Sequence, residues 1–281
     1  MARSSIDIGG AVLEAVVAGS GAVTVIFENG LGTPLEAWDA VASRIALRTR
    51  TLCYDRRRAA PAGSIAARSA TDMASDLERL LAALALTPPY LLVGHSWGGV
   101  VIRMFAHRHP SDVCGLVFVD ATHEVIDSAG FALLAVMYSL MGLAARVGTG
   151  RRWLLRQLCP AGAPPAYRAR LEKRLADPAL WAVGVRTARG EGAGIRPSLA
   201  ALRRIGPDLP KVPTHVLTAG GETGPNLKGV RRVHEAWHAA ARAAAAKYTN
   251  IPTSGHQMPM EAPAPVIDAI LGVLDAVEDL R

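Results

Sequence analysis

The segment from Tyr90 to Pro110 admits few backbone paths. Tyr90–Val93 is a short, unbroken apolar run, the pattern of a strand covered on both faces. Gly94-His95-Ser96-Trp97-Gly98-Gly99 follows, and Trp97–His109 then reads as an apolar helix stopped by Pro110. A strand that becomes a helix within so few residues brings the two backbones into contact, so the residues at the crossing must be very small. The glycines at 94, 98 and 99 meet that demand. Ser96, at the apex, is then lifted clear of the sheet on strained backbone.

The rest of the chain repeats this alternation. Val23–Glu28, Thr51–Tyr54, Val113–Val119 and His215–Thr218 read as further buried strands, with helices predicted over Leu35–Leu47 and Thr71–Leu86. Ile6 to Val17, broken by Gly9-Gly10, reads as a leading antiparallel hairpin. A helix over Leu227–Ala246, a short strand near Tyr248 and a closing helix over Pro265–Asp279 complete the pattern. The fold class is α/β, a mostly parallel sheet with crossover helices on both faces. At 281 residues the chain is one large domain, or a core with an insertion.

The interval Glu124–Asp208 breaks the rhythm and divides the expected organisation. Residues 1–123 and 209–281 form the core, and 124–208 is an inserted helical lid. Its apolar stretch Ala129–Ala145 falls just short of a membrane span and is interrupted by Gly, Ser and Tyr. A lid over an apolar pocket accounts for it, so no stable membrane insertion is expected.

Composition excludes several classes. Half the residues are hydrophobic and 20% are charged, which is the balance of a folded domain rather than a disordered chain. The net charge of +7 raises nucleic acid as a partner, but the basic residues are dispersed apart from Arg56-Arg57-Arg58 and the stretch Arg146–Arg174. No aromatic-interleaved basic motif is present, so none is expected to bind. Cys53, Cys114 and Cys159 are too few and too scattered for a disulfide framework or a zinc site. Met1–Gly10 lacks an apolar signal core, so the expected location is the cytoplasm.

Gly94-His95-Ser96-Trp97-Gly98 is also a chemical motif. The helix leaving the turn points its N-terminus at the serine, and its first amide can stabilise a developing oxyanion. Composition alone supplies roughly 0.1 such matches by chance, so the flanking strand and helix carry the assignment. A serine hydroxyl needs a general base, and His256 suits that role. It lies on a loop between a short strand and a Pro-rich segment, free to reach the serine, and imidazole as a side-chain type suits proton transfer near neutral pH. Of the other histidines, His95 supports the turn backbone, His107 and His109 face a helix C-terminus, and His123 reads as a solvated loop residue. The third member is a carboxylate that fixes the imidazole tautomer. Asp120 ends the Val113–Val119 strand and so shares a sheet edge with Ser96.

These stretches resemble the α/β-hydrolase family nearly end to end. Phe27-Glu28-Asn29-Gly30-Leu31-Gly32 with Trp38, Tyr54-Asp55-Arg56, Leu92 to Gly99, Leu116 to Asp120, and Ser254-Gly255-His256 carry the likeness. It implies an eight-stranded sheet, a helical cap after the sixth strand, a serine nucleophile, and His256 as catalytic base. It also implies an oxyanion hole formed by the Leu31 and Trp97 amides, with Asn29 standing where a histidine is more usual before Gly30. Relatives usually carry the acid one strand later, which maps to Glu222; some use the earlier position, and Asp120 is preferred here. Arg56-Arg57-Arg58-Ala59 replaces a glycine-rich turn, which leaves substrate preference open.

The expected activity is acyl transfer to water. Ser96 attacks an ester or lactone bearing a hydrophobic part, which Phe131–Leu143 helps to hold, and no cofactor is needed. The same three residues also suit C–C bond hydrolysis, and the fold supports non-catalytic binding proteins. A competing signal is His234-Glu235-Ala236-Trp237-His238, the H-E-x-x-H pattern of zinc peptidases, which is rarer by chance than the serine motif. No third ligand follows at the expected spacing, and Val230, Val233, Trp237, Ala241 and Ala244 form a packing stripe that the two histidines flank. That helix reads as structural.

Overall fold

A computed structural model describes residues 3–56, 67–126, 148–160, 162–206, 208–221 and 227–280. The eight strands are β1 (Ser4–Asp7), β2 (Val12–Ala18), β3 (Thr24–Glu28), β4 (Arg50–Tyr54), β5 (Tyr90–His95), β6 (Val113–Val119), β7 (Thr214–Ala219) and β8 (Lys247–Ile251). They form one sheet in the order β1-β2-β4-β3-β5-β6-β7-β8. β1 and β2 make the predicted antiparallel hairpin, β2 joins β4 antiparallel, and every pairing from β4 to β8 is parallel.

Alternate residues of the central strands enter opposite cores, as a period of two requires. Ile26, Leu92, Leu116 and Phe118 pack with α2 (Ala70–Ala83), α3 (Gly98–Arg108) and α7 (Leu227–Ala243). Val25, Phe27, Leu91, Val93, Val117 and Val119 pack on the other face with α1 (Asp39–Ile45), the short α8 (Met258–Glu261) and α9 (Pro263–Asp279). Because both faces are covered, these strands carry no polar alternation, which is why they read as plain apolar runs.

Element ends deviate where local hydrogen bonds outweigh periodicity. The predicted helix Leu35–Leu47 divides into a 3₁₀ turn, Leu35–Trp38, and α1, with the Leu35 amide donating to the Asp55 carboxylate at 2.9 Å. Ser69 and Asp72 form a reciprocal capping box that starts α2 one residue early. α2 and α7 end short of prediction, each just before a residue with positive φ, Ala85 and Ala245. α9 begins at Pro263, since proline is tolerated in a first helical turn.

Between β6 and β7 lie α4 (Gly148–Leu158), α5 (Pro165–Ala176) and α6 (Pro178–Ile205), and Leu154, Leu175 and Trp181 give them a small core of their own. The apolar stretch Ala129–Ala145, including Phe131–Leu143, lies outside the described residues. Among the described residues no helix is long and apolar enough to cross a membrane.

Candidate active site

The carboxyl ends of β3, β5, β6 and β8 open on the same edge of the parallel sheet, where the loops they feed converge. At the end of β5 the chain turns through Ser96, whose φ of 52° is unusual for any residue other than glycine. Its amide donates to Val119 O at 3.1 Å, and its carbonyl accepts from Thr122 N and Gly99 N at 2.9 and 3.1 Å. Backbone bonds on both sides therefore hold the strained residue in place.

The glycines around it are dictated by contact. A Cβ on Gly98 would lie 2.3 Å from Glu28 O, and one on Gly94 would lie 2.7 Å from the Gly98 carbonyl. Gly98→Ala must therefore push α3 away from β3. We expect a loss of about 1–3 kcal/mol, typical of overpacking, or failure to fold, read from denaturant titration. An unchanged midpoint would contradict the contact.

Ser96 Oγ lies 3.0 Å from His256 Nε2, and His256 Nδ1 lies 2.5 Å from Asp120 Oδ2. Asp120 follows β6 at a φ of 43°, and its other oxygen accepts from Ala219 N and His234 Nε2, each at 2.9 Å. Burial alone would raise its pKa, but hydrogen bonds from His234, His256 and the Ala219 amide overcome that and hold the carboxyl well below its ordinary value. The ionised carboxylate only accepts, so Nδ1 of His256 carries a proton and the Nε2 lone pair faces the serine. Asp120 is 4% exposed and the His256 side chain 43%, so a buried charge orients a ring that still reaches the open site.

His95 completes the support. Its Nε2 lies 2.7 Å from His256 O, and burial followed by the neighbouring His256 lowers its pKa to about 3. The neutral ring therefore donates to that carbonyl and anchors the loop. Opposite, the Gly30–Thr33 turn lies against the serine: a Cβ on Gly30 would be 3.3 Å from Ser96 Cβ. Gly32, at φ 65°, supplies the positive φ that the third position of a type II turn needs. Leu31 follows Gly30 and Trp97 follows Ser96, so both residues named for the oxyanion flank the serine. A cavity of about 370 Å³ opens beside Leu31, with Tyr167, Trp181, Gln257, Arg156 and Arg174 also in its wall.

Of the sequence-derived set, Ser96, His256 and Asp120 come together in one hydrogen-bonded chain, and Glu222 lies outside the described residues. His123 departs from expectation: it is buried, with its ring edge-on to Trp237 at 5.1 Å, because the chain after β6 folds back over α7. His234, expected at a packing margin, is a second imidazole on Asp120. His238 instead packs with its ring tilted against that of Tyr248, centroids 4.8 Å apart, so the two histidines of the H-E-x-x-H pattern serve different neighbours. Among the described residues no group of three or more His, Cys, Asp or Glu is arranged to hold a metal ion.

A family model described as the alpha/beta hydrolase family matches residues 25–269. An uncharacterized protein of Bacillus subtilis, YqjL, is 38% identical over 103 residues, which cover 36% of this chain and 41% of that protein. The chain thus spans about two fifths of the length of that curated relative. In three dimensions it is similar to the epoxide hydrolase CorEH, with a TM-score of 0.71 at 18% identity, covering 100% of this chain and 99% of the other. A thermophilic esterase from Thermogutta terrifontis, solved with malate bound, gives 0.67 at 22% identity, covering 99% of each chain. At these identities the likeness to solved structures is one of fold.

Proposed function

The chain belongs to the alpha/beta hydrolase family, and on that premise we propose that it is a serine hydrolase that cleaves a carboxylic ester or lactone through an acyl-enzyme on Ser96. The observation that carries this reading is the continuous chain Ser96 Oγ–His256 Nε2, His256 Nδ1–Asp120 Oδ2. In the first step His256 takes the hydroxyl proton as Oγ attacks the carbonyl carbon. The Leu31 and Trp97 amides receive the oxyanion, and the imidazolium gives its proton to the leaving oxygen. Water, deprotonated by the same ring, then releases the acid.

Acyl chemistry is favoured over epoxide opening by the identity of the nucleophile. A serine that opened an epoxide would leave an ether, with no carbonyl for water to attack, and the enzyme would stop after one event. An ester intermediate is released by the same machinery that made it.

We further propose that 124–208 caps the site and that 1–123 with 209–281 forms the core. The substrate is a small molecule. An apolar portion suits the Phe131–Leu143 segment, and the wall containing Tyr167, Trp181, Arg156 and Arg174 suits a polar part.

Fluorophosphonate labelling followed by peptide mapping tests the reading, with modification expected on the peptide bearing Ser96. Turnover of short p-nitrophenyl esters should persist in EDTA, because the reaction proposed uses no metal. Loss of activity on chelation, restored by zinc, would transfer the chemistry to His234 and His238.

A further inference from the structure

Arg56 sits one residue beyond Asp55 at the end of β4, and its guanidinium is buried below the turn that carries Leu31. Nη1 donates to the Glu28 carboxylate at 2.7 Å and to Asn29 O at 2.5 Å, and Nη2 donates to Gly30 O at 2.8 Å. Nε and Nη2 also reach the two oxygens of Glu191 at 3.0 and 3.2 Å. Glu191 comes from α6, more than a hundred residues away, and its Oε2 accepts from Gly32 N at 3.3 Å. Arg56, Glu28 and Glu191 have side chains 8%, 0% and 4% exposed, so the cluster is almost wholly buried.

The Gly30 carbonyl is the informative contact. The Gly30–Leu31 bond is trans, so its C=O and N–H point to opposite sides of one rigid plane. Gripping Gly30 O from below turns Leu31 N–H the other way. Gly30 O also accepts from Thr33 N at 3.3 Å, so the turn and the arginine set the same plane. A planar fork with five donors is needed, because two carboxylates and two carbonyls converge on one side chain.

Helix α6 brings Glu191 there by close packing. Gly190, Gly194 and Ser198 recur at intervals of four, along one helix face. Arg68 N donates to Gly190 O at 2.9 Å and Ala70 N to Ser198 Oγ at 2.8 Å, while a Cβ on Gly194 would lie 1.8 Å from Arg68 O. The small residues let the start of α2 lie directly on α6, and Glu191 projects to Arg56.

We propose that Arg56 and Glu191 are positioning residues that orient the Leu31 amide as an oxyanion donor, so that α6, from the segment between β6 and β7, completes the catalytic site. The inference rests on the serine-hydrolase reading above. In Arg56→Lys the charge remains but the fork is lost, and the Gly30 plane is released. Removing an oxyanion donor outright costs about 10²–10³-fold in kcat, so a misaligned one should cost about 10²-fold with KM changed only a few-fold. Glu191→Gln keeps the shape and an acceptor oxygen, and should cost less, about 10-fold. Affinity for an alkyl boronate, which forms a tetrahedral anion on the serine, should fall in step with kcat in both variants.

Arg103→Lys is the matched control. Arg103 is equally buried and pairs with Glu124, away from the Gly30 turn. All variants are assayed well below their own melting temperatures. Supporting results are kcat and boronate affinity lowered together in Arg56→Lys and, more mildly, in Glu191→Gln, with Arg103→Lys near wild type. Unchanged kcat in a folded Arg56→Lys overturns the inference, as does an equal loss in Arg103→Lys. Should Arg56→Lys fail to fold, Glu191→Gln decides, and wild-type kcat and boronate affinity there overturn the inference too. A wild-type protein with no ester turnover and no labelling at Ser96 would instead count against the proposed function itself.

Discussion

Ser96→Ala is expected to lower turnover of p-nitrophenyl esters by about 10⁴-fold or more, with fluorophosphonate labelling lost from the same peptide. The size of the effect follows from the role. In the proposed mechanism no acyl-enzyme forms without the hydroxyl, and what remains is the positioning of water by the proposed base and oxyanion donors. Stability should change by less than about 1 kcal/mol, because one oxygen atom is removed and alanine adopts the same strained φ at similar cost. The backbone bonds to Val119 O and from Thr122 N and Gly99 N do not involve the side chain and remain. A folded alanine variant retaining near wild-type turnover would remove Ser96 from the mechanism.

Asp120→Asn should lower kcat by about 10²–10⁴-fold, since the amide neither compensates an imidazolium nor selects the Nδ1–H tautomer. The carboxylate lies 2.5 Å from His256 Nδ1 while also accepting from His234 and Ala219. An asparagine cannot accept from all three at once. A stability effect accompanies the kinetic one, and its sign follows from the pKa. The carboxyl is held below its ordinary value of 3.8 in the folded protein, so it contributes stability that is present above that range. The contribution is lost as pH falls through the folded pKa. The gap in melting temperature between wild type and Asp120→Asn should therefore be widest near neutrality and should narrow below about pH 4. A folded Asp120→Asn with wild-type turnover, beside an inactive Glu222→Gln, would place the acid after β7 instead.

Much of this was legible from local pattern. The strand–turn–helix around Ser96 is a steric statement made by Gly94, Gly98 and Gly99, and those residues are neighbours in sequence. The parallel core announces itself because each central strand is covered on both faces and so is apolar throughout. Asp120 and His256 were readable as loop residues following strands, and a parallel sheet delivers the ends of its strands to one edge.

What stayed hidden were the partners that support the site from across the fold. His234 looks like the margin of an amphipathic helix, and nothing nearby in sequence indicates that α7 brings it to Asp120. His123 reads as a solvated loop residue because a short polar segment gives no sign that Trp237 will cover it. Arg56 reads as a charge in a basic run, whereas its guanidinium is buried between Glu28 and Glu191. Periodicity, glycine placement and chain punctuation act over a few residues, and so sequence alone determined the sheet, the elbow at Ser96 and the residues proposed for the chemistry. Which charges are paired, which ring carries the proton and which carbonyl is gripped depend on contacts between residues from 26 to more than a hundred positions apart. Only the tertiary structure decided those, because hydrogen bonds and ion pairs in a buried site are set by the packing of whole elements.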